Sequence, residues 1–102
     1  MVNLNDYEDL IVEWGYDKGI LPEPDMIAQF TKTAEEVKEL AMGIDAGDRA
    51  EVQDAIGDIF VTLVMQTQCW GLTMQECVAS VYEVISQRTG KMVDGVFVKD
   101  ED

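Results

Sequence analysis

Thr33-Ala34-Glu35-Glu36-Val37-Lys38-Glu39-Leu40, read together with Asp54-Ala55-Ile56-Gly57-Asp58, is the stretch around which the rest of the chain is arranged. On a helix, Glu35 and Glu39 lie four apart and Glu36 and Glu39 three apart, so both pairs are surface neighbours. Asp54 and Asp58 repeat the four-residue spacing on a second helix. Like charges placed this way cost about 0.2–0.5 kcal/mol per pair in an isolated helix. Two acidic helix faces brought together around a divalent metal would offset that cost.

Helical signals extend outward from this centre. Asp25 caps the helix that carries the glutamates, and Met26, Ile27, Phe30, Ala34, Val37, Ala41 and Ile44 are expected as its core stripe. Gly43 and Asp45-Ala46-Gly47 end it. Asp48 with Glu51 opens the next helix, whose apolar positions run Val52, Ile56, Ile59, Phe60, Leu63, Val64 and Thr67 before Gly71 closes it. Thr73-Met74-Gln75-Glu76 is a capping box, followed by a stripe of Met74, Cys77, Val78, Val81, Tyr82 and Ile85. At the other end, Asn5 with Glu8 is the expected cap of a first helix bearing Tyr7, Leu10, Ile11 and Trp14. That helix is expected to loosen near Gly15 to Gly19, and Leu21-Pro22-Glu23-Pro24 reads as a linker because two prolines remove backbone donors. Past Gly90, Asp94-Gly95 between short apolar pairs signals a hairpin, and Lys99-Asp100-Glu101-Asp102 reads as a loose tail. The expectation is a single all-α domain over residues 1–102, a four-helix arrangement with a short C-terminal hairpin or extended tail.

Composition excludes several function classes. With 21 acidic and 7 basic residues the net charge is −14, which opposes direct binding of nucleic acid or an anionic membrane. Any anionic ligand must arrive with its own cations. The absence of histidine removes imidazole acid–base chemistry, His-ligated zinc and the Glu-x-x-His di-iron bundle site. Cys69 and Cys77 match neither a zinc framework nor a redox pair and read as reduced core residues. No signal peptide or membrane span is legible, so a cytoplasmic location is expected.

Asp58 lies inside a run, residues 55–65, that is apolar nearly all round. A carboxylate there is costly unless paired or bound to a metal. No Lys or Arg occurs between Arg49 and Arg88, and Lys38 is placed away from Glu36 and Glu39. A divalent cation is the economical counter-charge, and Mg²⁺ or Mn²⁺ suits all-oxygen ligands. Four or five carboxylates exceed the needs of one ion, so two or three ions with a bound polyphosphate fit better. Taken alone, Glu-Glu-x-x-Glu is more often simply a solvated helix face, and Gly57 reads first as a packing glycine.

These residues resemble the MazG-like all-α nucleoside triphosphate pyrophosphohydrolases, whose pattern is EExxE on one helix and ExxD on the next. Gln29 and Lys32 match a Gln-x-x-Lys lead-in, while residues 88–92 and 95–99 look like the C-terminal segment of short phage-type members. The resemblance covers the chain from about residue 26 onward. One departure is Ala55, where the pattern has Glu; Asp54, one place earlier, shares a face with Asp58. The resemblance implies hydrolysis of a (d)NTP to (d)NMP and pyrophosphate, with water attacking the α-phosphorus and Mg²⁺ or Mn²⁺ required. It implies Glu36, Glu39 and Asp58 as ligands, Asp54 as a substitute ligand, and Glu35 as a ligand or water-orienting group. Lys32, Lys91, Arg88 and Lys99 would hold phosphates. Gln29 would read a base edge or hold a phosphate, and Trp14 would stack on a base or complete the first helix's core. It also implies a homo-oligomer, dimer or tetramer, with the site completed near a subunit interface. The preferred base stays open: dGTP or GTP in phage nucleotide metabolism would suit the compact form, other members prefer pyrimidine nucleotides or have house-cleaning roles, and the location would be the host cytoplasm if the chain is phage-encoded. The competing reading is a helical nucleotide-binding or regulatory module without catalysis, kept open by Ala55. A calcium protein is disfavoured, because the Asp45–Glu51 region lacks an EF-hand's alternating oxygens and central glycine.

Overall fold

The structure, a computed structural model, describes residues 1–101. Four helices precede a hairpin: α1 Leu4–Asp17, α2 Met26–Ala46, α3 Arg49–Cys69, α4 Met74–Ile85, β1 Gly90–Val93 and β2 Val96–Lys99. The architecture is all-α with a two-stranded C-terminal appendage. Caps set most boundaries. The Asp25, Asp48 and Thr73 side chains accept hydrogen bonds from the backbone N–H groups of Ala28, Glu51 and Glu76. Left-handed Gly47 ends α2, and Gly71, also at positive φ, follows α3. Asp94 and Gly95 both have positive φ, as a two-residue hairpin turn matching strand twist requires.

Two boundaries differ from the sequence expectation. The cap of α1 is Asn3, which forms a full capping box with Asp6; Asn5 lies inside the helix. The expected partner, Glu8, is instead buried, and its carboxylate accepts the Met74 backbone N–H at 2.6 Å, tying α1 to the start of α4. The helix runs unbroken through Gly15 and ends at Asp17, inside the expected range of Gly15 to Gly19. A Cβ at Gly15 would stand 2.9 Å from the Met65 side chain, so glycine is what lets α1 approach α3. The expected loose tail is partly fixed: Lys99 belongs to β2, and Asp100 pairs with Thr89 through both backbone and side chain. Asp102 lies outside the described residues.

Helix α3 is central and packs against each of the other three helices, most extensively against α2. The apolar core is small: Leu21, Val64 and Met65, with Ile11, Val12, Ile20, Phe60 and Met74 partly buried against it. The α2–α3 seam is of a different kind. Gly43 and Glu36 are buried on the α2 side and Ala55 and Thr62 on the α3 side. Thr62 donates to the Ile59 carbonyl, Thr33 donates to the Thr62 hydroxyl at 2.8 Å, and Gln66 donates to the Thr33 hydroxyl at 2.6 Å. The seam therefore closes through small and hydrogen-bonded residues.

The expected core stripes consequently face outward. Met26, Ile27, Phe30, Val37 and Ile44 of α2 are exposed, as are Tyr7, Leu10 and Trp14 of α1 and Ile56 of α3. Val78, Val81, Tyr82 and Ile85 of α4 are exposed as well, and α4 buries no residue at all. The accessible surface of 7949 Å² exceeds the about 5,800 Å² expected for a compact 11.4 kDa monomer. The radius of gyration, 16.1 Å, likewise exceeds the about 12.8 Å of a compact domain this long. Both excesses accompany the exposed apolar faces of α1, α2, α4 and the hairpin.

Candidate active site

The seam that leaves α2's apolar stripe outside turns its polar face inward. Gln29, Lys32 and Glu36 follow one another at helical spacing on α2, and Asp58, Val61, Thr62 and Met65 do so on α3. The two rows line a cavity of about 520 Å³, closed at one end by Trp14 and Ile20 from α1 and its following turn. Glu36 is buried, with 6% of its surface exposed. One of its carboxylate oxygens lies 3.5 Å from the Lys32 ammonium. The other, Oε2, is buried without a hydrogen-bond partner. Such an atom forfeits the solvation of a charge with nothing in return, and it marks where a cation or donor belongs.

Electrostatics repeat the point. Asp58 has its carboxyl pushed above the usual range by burial, and further by the negative charges of Asp54 and Glu36; Lys32 opposes the shift. Lys32 in turn has its pKa raised by Glu36 and then by Glu35, which lies 3.6 Å away. One ammonium therefore serves two glutamates and a nearby aspartate. The cavity is short of positive charge.

Of the residues singled out from the sequence, Trp14, Gln29, Lys32, Glu36 and Asp58 meet at this cavity. Glu35 and Glu39 are exposed on α2 outside its wall, Glu39 one turn beyond Glu36. Asp54 is exposed on a neighbouring shallow depression shared with Asp58 and Gly57. Gly57 meets no neighbouring atom and is not a packing glycine within this chain. Ala55, 1% exposed, fills the α2–α3 seam where a longer side chain would have to displace a neighbour. Arg88 and Lys99 line a separate concavity between α4's end and the hairpin, and Lys91 projects from β1. The cysteines are free and half-buried; Cys69 donates weakly to the Met65 carbonyl, and burial raises its thiol pKa. Ile20, Val61, Thr62 and Met65 complete the cavity without having been anticipated. Thr62 was detectable as the one hydroxyl residue at i+4 from Asp58 in an apolar run.

Among the described residues no group of three or more Asp, Glu, His or Cys side chains stands ready to enclose a metal. Glu36 and Asp58, from adjacent helices, line the same cavity, and Mg²⁺ is commonly held by one or two carboxylates together with substrate phosphates.

A family model, the MazG nucleotide pyrophosphohydrolase domain, matches residues 27–93. This chain belongs to the MazG family. The match spans α2, α3, α4 and β1, and so includes every cavity residue except Trp14 and Ile20 of the N-terminal part. Neither curated proteins nor solved structures give a match. The MazG assignment agrees with the all-α fold and with nucleotide pyrophosphohydrolase chemistry. No helix among the described residues is long and apolar enough to cross a membrane.

Proposed function

We propose that the cavity between α2 and α3 binds a nucleoside triphosphate and hydrolyses it to the monophosphate and pyrophosphate. The observation that carries this reading is the buried, unpartnered Oε2 of Glu36 beside Asp58, in a cavity that also holds one lysine, one glutamine and one tryptophan. Glu36 and Asp58 would hold a divalent cation, Mg²⁺ or Mn²⁺, by their inward oxygens. Glu39 is exposed one turn along α2 and free to swing in as a third ligand. Glu35 and Asp54 stand on the rim, suited to a second or third ion or to holding a water. When bound, the metal neutralises phosphate charge and lowers the pKa of water, which supplies the nucleophile at neutral pH.

The chain's own residues set the rest. Lys32, released from two glutamates once cations arrive, pairs with a phosphate oxygen. Trp14 offers a stacking face at the cavity mouth, and Gln29 carries both a donor and an acceptor for a base edge or phosphate. Trp14, Val61 and Met65 exclude water from one side, so that attack comes from the carboxylate side. Arg88, Lys91 and Lys99 reach phosphates only from another subunit or after movement of the C-terminal segment. The uncovered stripes support a homo-oligomer, dimer or tetramer, and guanine nucleotides in phage metabolism are the first substrates to try. Free half-buried thiols and a nucleotide substrate suit the cytoplasm.

The test is incubation with Mg²⁺ or Mn²⁺ and each common (d)NTP, with products resolved by ion exchange, alongside Glu36→Gln and Asp58→Asn. Monophosphate plus pyrophosphate, lost in both variants, is expected. Diphosphate plus phosphate would contradict it. Ala55 in the seam favours one alternative, a nucleotide-binding module without turnover. That reading predicts stabilisation by Mg²⁺ and nucleotide with no product.

A further inference from the structure

Besides its carboxylates, the α2–α3 seam holds a network of polar side chains that the proposed chemistry does not use. The Gln66 amide donates to the Thr33 hydroxyl at 2.6 Å, Thr33 donates to the Thr62 hydroxyl at 2.8 Å, and Thr62 donates to the Ile59 carbonyl at 2.8 Å. Thr62 is buried, and Thr33 and Gln66 are half-buried. Each hydroxyl has a single proton, so the network runs in one direction and Thr62 meets Thr33 as an acceptor. Two short side chains joined in this way bring the helices closer than a pair of methyl groups could.

The network stands next to the carboxylates. Glu36 lies three residues after Thr33 on α2, and Asp58 lies four before Thr62 on α3, so each carboxylate shares a helix face with one of the hydroxyls. Beyond the carboxylates the helices close a second time, where a Cβ on Gly43 would meet the Val52 backbone nitrogen at 3.3 Å. Glu36 falls between Thr33 and Gly43 on α2, and Asp58 between Val52 and Thr62 on α3. The pair is therefore pinned from both ends. Mg²⁺ takes its oxygens at about 2.0–2.1 Å in near-ideal octahedral geometry, so it tolerates little change in their spacing. A methyl group in place of the Thr62 hydroxyl would stand about 3.5 Å or more from Thr33. Against the present 2.8 Å, that opens the seam by more than roughly 0.5 Å, the limit within which a site keeps its productive geometry.

We infer that Thr62, held by Thr33 and Gln66, is a positioning residue that sets the spacing of Glu36 and Asp58 and through it the affinity of the cavity for a divalent cation. The inference rests on the metal-binding role proposed above for those two carboxylates. Thr62 reaches the cavity wall, whereas Thr33 and Gln66 stand behind it.

Mn²⁺ would be titrated into the nucleotide-free protein and the free ion followed by electron paramagnetic resonance, with a melting curve for every variant. Thr62→Val is expected to weaken Mn²⁺ binding by about tenfold or more, the scale on which groups behind metal ligands act. Its fold is expected to hold, because the Thr33 proton can turn to the Gln29 carbonyl, 3.1 Å away. Thr62→Ser keeps the acceptor and is expected to bind Mn²⁺ as the parent does. Gln66→Met removes the far end of the network from outside the cavity and is expected to weaken Mn²⁺ binding in the same direction. Val64→Ala, in the apolar core, is expected to lower the melting temperature and leave Mn²⁺ affinity unchanged. Unchanged Mn²⁺ affinity in both Thr62→Val and Gln66→Met would overturn the positioning role, and a rise in nucleotide KM alone would make Thr62 a substrate contact instead. An equal loss in Val64→Ala would also overturn it, as general loosening of the fold. A parent that binds no Mn²⁺, or binds it equally well after Glu36→Gln, would overturn the metal site itself.

Discussion

The α2–α3 pair and the segment from α4 onward use similar residues and reach opposite states. In α2–α3 the polar face is turned in: Thr33, Thr62 and Gln66 bond across the seam, and Glu36 is buried beside it. In α4 and the hairpin, valines, Tyr82 and Phe97 are left outside, and nothing is buried. A chain that buries carboxylates and exposes valines is organised for things it does not itself contain. The inner polar face is the one proposed to take cations and phosphates, and the outer apolar faces are left uncovered by the described residues.

The largest effect should separate the two regions by stability. Met65→Ala empties the centre of the small core and is expected to cost about 2–5 kcal/mol in urea unfolding. Val84→Ala on exposed α4 should cost less than about 0.5 kcal/mol. Equal losses would show that α4 is packed after all. The carboxylates come next. Glu36→Gln, Glu39→Gln and Asp58→Asn should each lower kcat by about 100-fold or more, the scale of losing one electrostatic stabiliser of a transition state. Asp54→Asn on the rim should lose no more than about tenfold, and a larger loss would move the metal site toward the shallow depression around Gly57.

Two glycines sharpen the comparison further. A Cβ on Gly43 would meet the Val52 backbone nitrogen at 3.3 Å and the Val52 side chain at 3.2 Å. Gly43→Ala should therefore destabilise by about 1–2 kcal/mol through overpacking. Gly57 faces open space, so Gly57→Ala should stabilise the chain by up to about 1 kcal/mol through helix propensity. The smallest effect concerns Asp58 without metal. Its raised pKa means that the ionised form is disfavoured in the folded state, so its contribution is most favourable at acid pH and is lost as pH rises through the folded pKa. At neutral pH, Asp58→Asn should then slightly raise the metal-free melting temperature while abolishing activity. A fall would show that the charge is already compensated.

Much of the fold was legible because it is local. Asp25, Asp48 and Thr73 cap helices by their own side chains, and Asp94-Gly95 makes its turn whatever surrounds it. The α1 cap was misread because Asn3 with Asp6 and Asn5 with Glu8 offer the same spacing. What decides between them is a long-range bond from Met74 to Glu8. The apolar stripes were found at the right positions but assigned to the wrong side. Periodicity identifies a face that wants cover, and it carries no information on whether the cover is the same chain. The carboxylates at the cavity were legible by type, because a carboxylate such as Asp58 inside an apolar helical run is costly unless something offsets its charge. Lys32 as the shared counter-charge and Thr62 as part of the wall depended on how α2 and α3 pack.

The most direct test of the central claim is hydrolysis of dGTP in ¹⁸O-labelled water with Mg²⁺, followed by mass spectrometry of both products. Attack at the α-phosphorus within the α2–α3 cavity predicts one ¹⁸O atom in the monophosphate and none in pyrophosphate, with no turnover in Glu36→Gln. Label in pyrophosphate, or unchanged turnover in the variant, would contradict the account.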